Sequence, residues 1–204
     1  MSSAKPLNRR EQAAEETRRL IIDAARHLFA TRGYGATSIV QIAAEAGVAV
    51  PTIYASVGTK LRLLELLNDR IDEDAEVATL VPRLLSCREP VQILRLQIRL
   101  SRQLNERAGD LIAALRSAAS VEPRMAGSYH TGMQHHYDGM RATAERLTAV
   151  GALSQVTTRE ATAILSALLA PDAWTSLVQA NRLSWDQAEQ LLNRVLARLL
   201  LTEP

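Results

Sequence analysis

The chain has 204 residues, of which 47% are hydrophobic, and its formal net charge is +2. This composition excludes an intrinsically disordered chain and is ordinary for a globular protein with a substantial core. The single cysteine, Cys87, excludes an intrachain disulfide, and we expect an inert thiol rather than a redox sensor.

The sequence contains no recognisable targeting or membrane segment. The first ten residues, MSSAKPLNRR, lack the continuous apolar stretch of a signal peptide. No apolar run approaches the roughly 18 residues that a membrane-spanning helix needs. We therefore expect a cytoplasmic protein that has no membrane partner.

Seven prolines and nine glycines leave few interruptions in a chain of this length. No run alternates apolar and polar residues as a half-buried strand would. These features predict an all-α fold. Because aromatic residues make up only 3%, Ala, Leu, Ile and Val are expected to fill the core.

The positive charge is concentrated at the N-terminal end. Residues 1–62 hold nine Lys or Arg against five Asp or Glu, a net charge of +4, and the remainder of the chain carries −2. A basic segment of this kind favours binding to phosphate, although scattered solvated charges give a split of this size fairly often.

The first helix is predicted from near Glu11 to about Thr31, and Gly33 ends it. Residues 1–10 precede this helix as a flexible polar arm. A solvated tail is the expected state of the arm, and the alternative is a minor-groove contact through Arg9 and Arg10. The inward face of the helix has apolar residues at helical spacing: Leu20, Ile21, Ala24, Ala25, Leu28 and Phe29.

Two short helices joined by a tight turn follow, over roughly 38–45 and 50–56. Thr37 or Ser38 stands at the N-cap of the first, and Gly47 ends it. This arrangement predicts a helix-turn-helix, whose second helix enters the DNA major groove. The buried face of the first short helix follows the i, i+3, i+4, i+7 spacing: Ile39, Ile42, Ala43 and Ala46. Thr59 then caps a fourth helix, whose apolar face is Leu63, Leu64, Leu67 and Ile71.

The stretch from Thr17 to Leu67 resembles the DNA-binding domain of the tetracycline-repressor (TetR) family of bacterial transcriptional regulators. The resemblance is a dense, ordered set of matches over about fifty residues: Ala24, Ala25, Phe29, Gly33, Tyr34, Thr37, Ser38, Ile42, Ala43, Ala46, Gly47, Val48, Thr52, Ile53, Tyr54, Lys60, Leu63 and Leu64.

The resemblance implies a two-part architecture of about nine or ten helices. Residues 11–70 would form the DNA-binding domain, with the helix-turn-helix at about 38–57. Residues 71–204 would form a helical bundle for regulation, ligand binding and dimerisation. We place the transition between the two on the fourth helix, before the acidic residues Asp72, Glu73, Asp74 and Glu76.

Carried over by position, the family's DNA contacts fall on the helix-turn-helix. Thr37 and Ser38 would contact phosphate at the start of its first helix, and Tyr54 and Lys60 would hold the DNA backbone. Thr52 is the best candidate for a base contact. The residues expected to face the groove are Val50, Pro51, Thr52, Ala55 and Ser56.

Two of these residues have a structural alternative to DNA contact: Thr37 as a simple helix cap, and Tyr54 as a core residue. Three positions also depart from the family pattern. Pro51 stands where Gly is common and adds bulk at the DNA face, Ala49 replaces a capping Ser or Thr, and Ser56-Val57 replaces an aromatic-containing pair.

The chain is expected to loosen around Val81-Pro82 and Arg88-Glu89-Pro90 before longer helices begin. Those helices are predicted from Pro90, over 110–119, from Pro123 to about Ala149, and from two capping boxes, Thr157 with Glu160 and Ser184 with Gln187. Pro171 breaks or kinks the helix that Thr157 opens.

One face of the helix from Pro123 holds large side chains interrupted by glycines. Because the corresponding helix of the family helps to line an effector pocket, its residues are pocket candidates, and a Met-rich core stripe is the alternative. The candidates for binding an unknown small-molecule effector are Met133, His136, Tyr137, Met140 and Trp174.

A broad apolar stripe on the last two helices predicts burial against more than one neighbour. In the family these helices pair with those of a second copy, so a homodimer is expected, and packing within one chain is the alternative. The interface candidates are Leu165, Leu168, Leu192, Leu196 and Leu199.

Catalysis and metal binding have little support. His130, His135 and His136 lack the i, i+4 spacing that places two ligands on one helix face. No phosphate loop, nucleophile elbow or paired acids are present, so we expect neither an enzyme nor a cofactor. The prediction is a homodimeric repressor that binds a palindromic double-stranded operator. The alternative is a helical adaptor whose helix-turn-helix no longer binds DNA.

Overall fold

A computed structural model describes residues 8–71 and 77–202 of the chain. Within these residues the structure is helical apart from an isolated bridge between Leu153 and Leu201, which confirms the predicted all-α class. The helices are α1 Arg9–Arg32, α2 Ile39–Ala46, α3 Val50–Ser56, α4 Lys60–Asn68, α5 Val77–Ser86, α6 Pro90–Ala119, α7 Pro123–Ala149, α8 Thr158–Leu168, α9 Pro171–Thr175, the π-helical segment Ser176–Ala180, and α10 Trp185–Leu200. The predicted acidic run at 72–76 and most of the predicted arm lie outside the described residues.

The chain divides into two compact units. The first comprises Met1–Arg70 with Ala113–Ala126, and the second comprises Ile71–Ile112 with Gly127–Pro204. The predicted boundary between the DNA-binding and C-terminal domains, at residue 70, stays a prediction. The structure places residues 113–126 in the first unit, whereas the sequence assigned them to the C-terminal domain.

The core of the first unit forms around α1. Asn8 and Glu11 form a capping box at its start, and Gly33, at a φ of 80°, ends it. The aromatic rings of Phe29 and Tyr34 lie 5.3 Å apart, centroid to centroid, in this core. Leu20, predicted to face inward, is exposed, and Ile22 is buried in its place.

The second unit contains two elements that differ from the prediction. Pro82 lies inside α5, where the chain was expected to loosen, and Leu80 and Leu84 from this helix are buried. The predicted pair of helices over 90–119 is one continuous helix, α6. We attribute both differences to apolar burial, which outweighs local helix preferences.

The main core of the second unit is formed by α6, α7, α8 and α10 around the buried Trp174. Ser101 on α6 pairs two buried polar groups in this core. The Ser101 Oγ accepts a 2.8 Å hydrogen bond from Trp174 Nε1 and donates one of 2.9 Å to the Leu169 carbonyl. The carbonyl at the end of α8 is therefore satisfied inside the core.

A charged network joins α6 to α10 at the surface of this core. Arg102 donates hydrogen bonds to Glu106, Asp186 and Glu189. Partial burial disfavours the charged guanidinium, but these carboxylates outweigh that effect and raise the pKa of Arg102 above its ordinary value.

The start of α8 and the start of α10 match the sequence analysis, since both predicted capping boxes are present. Pro171 separates α8 from α9, as predicted. Within residues 8–71 and 77–202, no single helix is long and apolar enough to cross a membrane. Two bent pairs, α2 with α3 and α8 with Pro171–Ala180, meet that criterion only jointly, by length and composition.

Candidate nucleic-acid interface

The helix-turn-helix is held in shape by local hydrogen bonds. Ser38 is the N-cap of α2, and its side chain exchanges hydrogen bonds with Gln41 in a capping box. Gly47 adopts a left-handed conformation with a φ of 67° that a side chain would strain. The chain turns sharply here, so that α2 and α3 lie at 96° to each other.

Most of the surface of helix α3 faces away from the core of the first unit. Ile53 is its only buried residue, whereas Pro51, Tyr54 and Ala55 are exposed. Tyr54 is 55% exposed, which excludes the alternative that it fills the core. The remaining candidates for the groove are partly exposed: Val50, Thr52 and Ser56.

The ends of α3 are supported in different ways. Ala49 provides no side-chain cap at the start, and Pro51 occupies the first turn, where a missing N–H costs little. At the other end, Arg18 on α1 donates a 2.9 Å hydrogen bond from Nη1 to the Ser56 carbonyl. The role of Arg18 cannot be predicted from the sequence, because a contact across 38 residues leaves no local signal.

Lys60 is fixed at the start of α4 by contacts inside the first unit. Its Nζ donates to the Tyr34 carbonyl at 3.1 Å and to the Thr37 carbonyl at 3.0 Å, and lies 4.1 Å from the Tyr34 ring centroid. An ammonium group has three N–H donors, so one remains for a phosphate.

Tyr34, beneath Lys60, is itself anchored by its hydroxyl. The hydroxyl donates a 3.0 Å hydrogen bond to Glu122 Oε1. Burial, followed by this hydrogen bond and the Glu122 charge, raises the pKa of Tyr34 above its ordinary value. The ring is therefore a neutral, fixed platform for the ammonium group.

Thr37 differs from its predicted role. The residue is buried, and its Oγ1 lies 2.9 Å from the Gly33 carbonyl and 3.2 Å from the Leu28 carbonyl. A hydroxyl enclosed in this way cannot reach a phosphate, so the predicted phosphate contact is wrong. The alternative cap role is also wrong, because Ser38 caps α2.

Comparison with known proteins agrees with this geometry. Residues 21–67 match the family model for bacterial regulatory proteins of the tetR family. This segment of the chain is a TetR-family DNA-binding domain. The matched segment contains α2 and α3 complete, so the family assignment rests on the helix-turn-helix described above. No curated protein matches the chain significantly.

Solved structures show the same fold over nearly the whole chain. A putative transcriptional regulator from Saccharomonospora viridis in complex with choline is 21% identical, with a TM-score of 0.70 over 93% of this chain and 100% of that one. PfmR from Thermus thermophilus is 18% identical, with a TM-score of 0.67 over 98% and 100%. A gamma-butyrolactone receptor (ArpA-like protein) is 21% identical, with a TM-score of 0.68 over 93% and 90%. The chain therefore shares the fold of these proteins.

The five residues predicted to line an effector pocket have dissimilar surroundings. Met140 and Trp174 are buried in the main core of the second unit, where Trp174 is bonded to Ser101, so the core alternative holds for both. Tyr137 is half exposed. His136 Nε2 lies 3.1 Å from the Ser166 carbonyl, and Met133 is partly buried.

The glycines of α7 do not mark a close helix contact. A Cβ added at Gly127, Gly132 or Gly139 would meet no atom within 4 Å outside its own helical backbone. Among the described residues, no group of three or more His, Cys, Asp or Glu is arranged to hold a metal ion.

The predicted dimer leucines separate into buried and accessible sets. Leu165, Leu192 and Leu196 are buried in the core of their own chain, so their assignment to an intermolecular surface is wrong. The alternative of packing within the chain applies to these three. Leu168 is partly buried, and Leu199 is 47% exposed.

Proposed function

We propose that this TetR-family chain is a homodimeric, ligand-responsive repressor that binds a palindromic DNA operator. The observation that carries the proposal is the exposure of α3, which presents Pro51, Tyr54 and Ala55 outward while a single residue, Ile53, anchors it. A helix held in this way can enter a major groove without unfolding its own domain.

The DNA contacts divide into positioning and reading groups. Tyr54 and the remaining N–H of Lys60 hold phosphates, and the exposed Ser38 lies at the positive N-terminal end of α2. Thr52 contacts a base through its hydroxyl or its methyl group. The other residues in the groove are Val50, Pro51, Ala55 and Ser56.

Dimerisation supplies the second helix-turn-helix domain. Two half-sites one helical turn apart, about 34–36 Å, require two linked helix-turn-helix domains. Leu199 and Leu168 stay accessible on the last long helices, and exposed Val195 lies one turn from Leu199 on α10. These residues are our candidates for the contact with a second copy.

A small effector changes DNA binding by changing the distance between the two helix-turn-helix domains of the dimer. An effector must bind one separation more tightly than the other, because equal affinity shifts no equilibrium. The choline complex and the gamma-butyrolactone receptor are proteins of this fold whose names include a small molecule. Of the sequence candidates, Met133, His136 and Tyr137 stay proposed as effector contacts.

Footprinting on the DNA that flanks the chain's own gene tests the proposal. A protected palindrome, with affinity that falls steeply as salt rises, is the expected result. Absence of protection, or binding insensitive to salt, would support the helical adaptor instead. Sedimentation of the free protein at the same concentrations measures dimerisation separately. A protein that stays monomeric at all of these concentrations would contradict binding by two linked helix-turn-helix domains.

A further inference from the structure

A cleft in the second unit lies between the connection from α5 to α6 and the C-terminal end of α7. It has a volume of about 300 Å³, which is the lower end of the range for small-molecule sites. None of the predicted effector residues lines it. The lining residues are Cys87, Arg88, Ile93, Arg146, Ala149 and Val150.

Arg146 brings an incompletely satisfied cation to this cleft. One terminal nitrogen of its guanidinium donates to the Cys87 carbonyl, but its Nε is buried and has no hydrogen-bond partner among the described residues. Buried polar groups are normally paired, and a buried charged donor is the most costly kind to leave unpaired. The Arg146 guanidinium is therefore only partly satisfied by the folded chain.

No carboxylate in the described part of the chain neutralises the cleft. Neither Arg88 nor Arg146 forms an ion pair with a carboxylate of residues 8–71 or 77–202. Glu89, the adjacent acid, is already engaged, because its carboxylate accepts hydrogen bonds from the Val91 and Gln92 amides at the start of α6. Two arginines thus line one small cleft, and none of the described residues supplies a counter-charge there.

The rest of the lining is apolar. Ile93 is fully buried behind the cleft, and Ala149 and Val150 form its more exposed side. The Cys87 thiol contacts the Glu89 carbonyl at 3.7 Å. A ligand that fits this lining has one anionic group for the guanidinium groups and a short hydrocarbon body for the apolar wall.

We propose that this cleft binds a small monocarboxylate with a short apolar chain, whose carboxylate is held by Arg146 and Arg88. A cation such as choline would be repelled by the same pair of charges. The site is a property of the second unit and does not depend on DNA binding, so it can be tested without an operator.

Isothermal titration of the full chain with hexanoate, hexanamide and inorganic phosphate tests the ligand class. We expect saturable binding of one hexanoate per chain and none of the neutral amide, which matches hexanoate in shape. Failure of hexanoate to saturate, equal binding of the amide, or tighter binding of phosphate would each overturn the assignment to an apolar carboxylate.

Three variants locate the binding. R146M should weaken hexanoate binding at least tenfold, and R141M, on the same helix but paired with Asp138 outside the cleft, should leave it unchanged. Because R146M also removes the hydrogen bond to Cys87, A149M serves as a second variant that fills the cleft and retains that bond. A149M should also lower affinity at least tenfold. Unchanged affinity in a folded R146M or in A149M, or an equal loss in R141M, would exclude the cleft.

Discussion

The two units use apolar helix faces in different ways. In the first unit, α3 buries one side chain, Ile53, and leaves its outward face exposed, whereas α10 in the second unit buries four, Ala188, Leu192, Leu196 and Leu200. A narrow stripe of apolar residues on a short helix identifies both the buried face and the exposed face of that helix. A broad apolar stripe predicts burial, but it does not show whether the neighbouring helix belongs to the same chain or to a second copy. The predictions below test this difference between α3 and α10.

The largest expected effect is on the core of the second unit. Trp174→Ala should lower the free energy of unfolding by about 3–5 kcal/mol, because it removes a fully buried indole and leaves Ser101 without that donor. Urea unfolding at fixed protein concentration measures this loss. Trp185→Ala, at a partly buried position, is the control with a smaller effect. Equal losses in the two variants would show that Trp174 is not the centre of this core.

Two of the leucines of α10, Leu196 and Leu199, should respond differently to substitution. Leu196→Ala should cost about 2–5 kcal/mol of unfolding free energy, since its side chain is buried within the chain. Leu199→Ala should leave that free energy nearly unchanged and weaken self-association, as measured by sedimentation. A Leu196→Ala protein with native stability and lost dimerisation would restore the original assignment of Leu196 to the interface.

On the proposed DNA-binding face, residues that contact bases and residues that contact phosphates should respond differently to substitution. Thr52→Ala should cost about 1–3 kcal/mol at the operator and change the preferred base at one position. Lys60→Ala should weaken operator and non-operator binding alike, and should reduce the salt slope by about one. Gel shifts at several salt concentrations distinguish the two. Unchanged affinity in Lys60→Ala would remove its phosphate role and leave only its contacts to Tyr34 and Thr37.

The smallest expected effect concerns how α3 is held. Arg18→Met should weaken operator binding by about 1 kcal/mol, because it removes the hydrogen bond to the Ser56 carbonyl that holds the end of α3. Arg19→Met, on the exposed side of α1 next to Glu16 and Asp23, is the matched control for loss of one positive charge. An equal decrease in both variants would indicate a general charge effect.

Sequence reasoning was most accurate where structure is local. The capping residues Ser38, Thr59, Thr157 and Ser184 and the turn at Gly47 all act within a few residues of their own position. It failed at Thr37, where the pattern identified a hydroxyl at the start of α2. The carbonyls that enclose this hydroxyl come from the end of α1 and the following turn, so only the folded arrangement of those elements shows that it is buried.

By itself, the sequence determined the all-α class, the helix-turn-helix and the family, because helical periodicity, caps and a dense motif are written in neighbouring residues. Tertiary structure alone decided that Thr37 is enclosed, that Arg18 holds the end of α3, and that Leu165, Leu192 and Leu196 face their own chain. It also decided which arginines meet at the cleft beside Cys87. Each of these depends on which segments pack together, and a one-dimensional pattern of apolar and polar residues does not specify the partner.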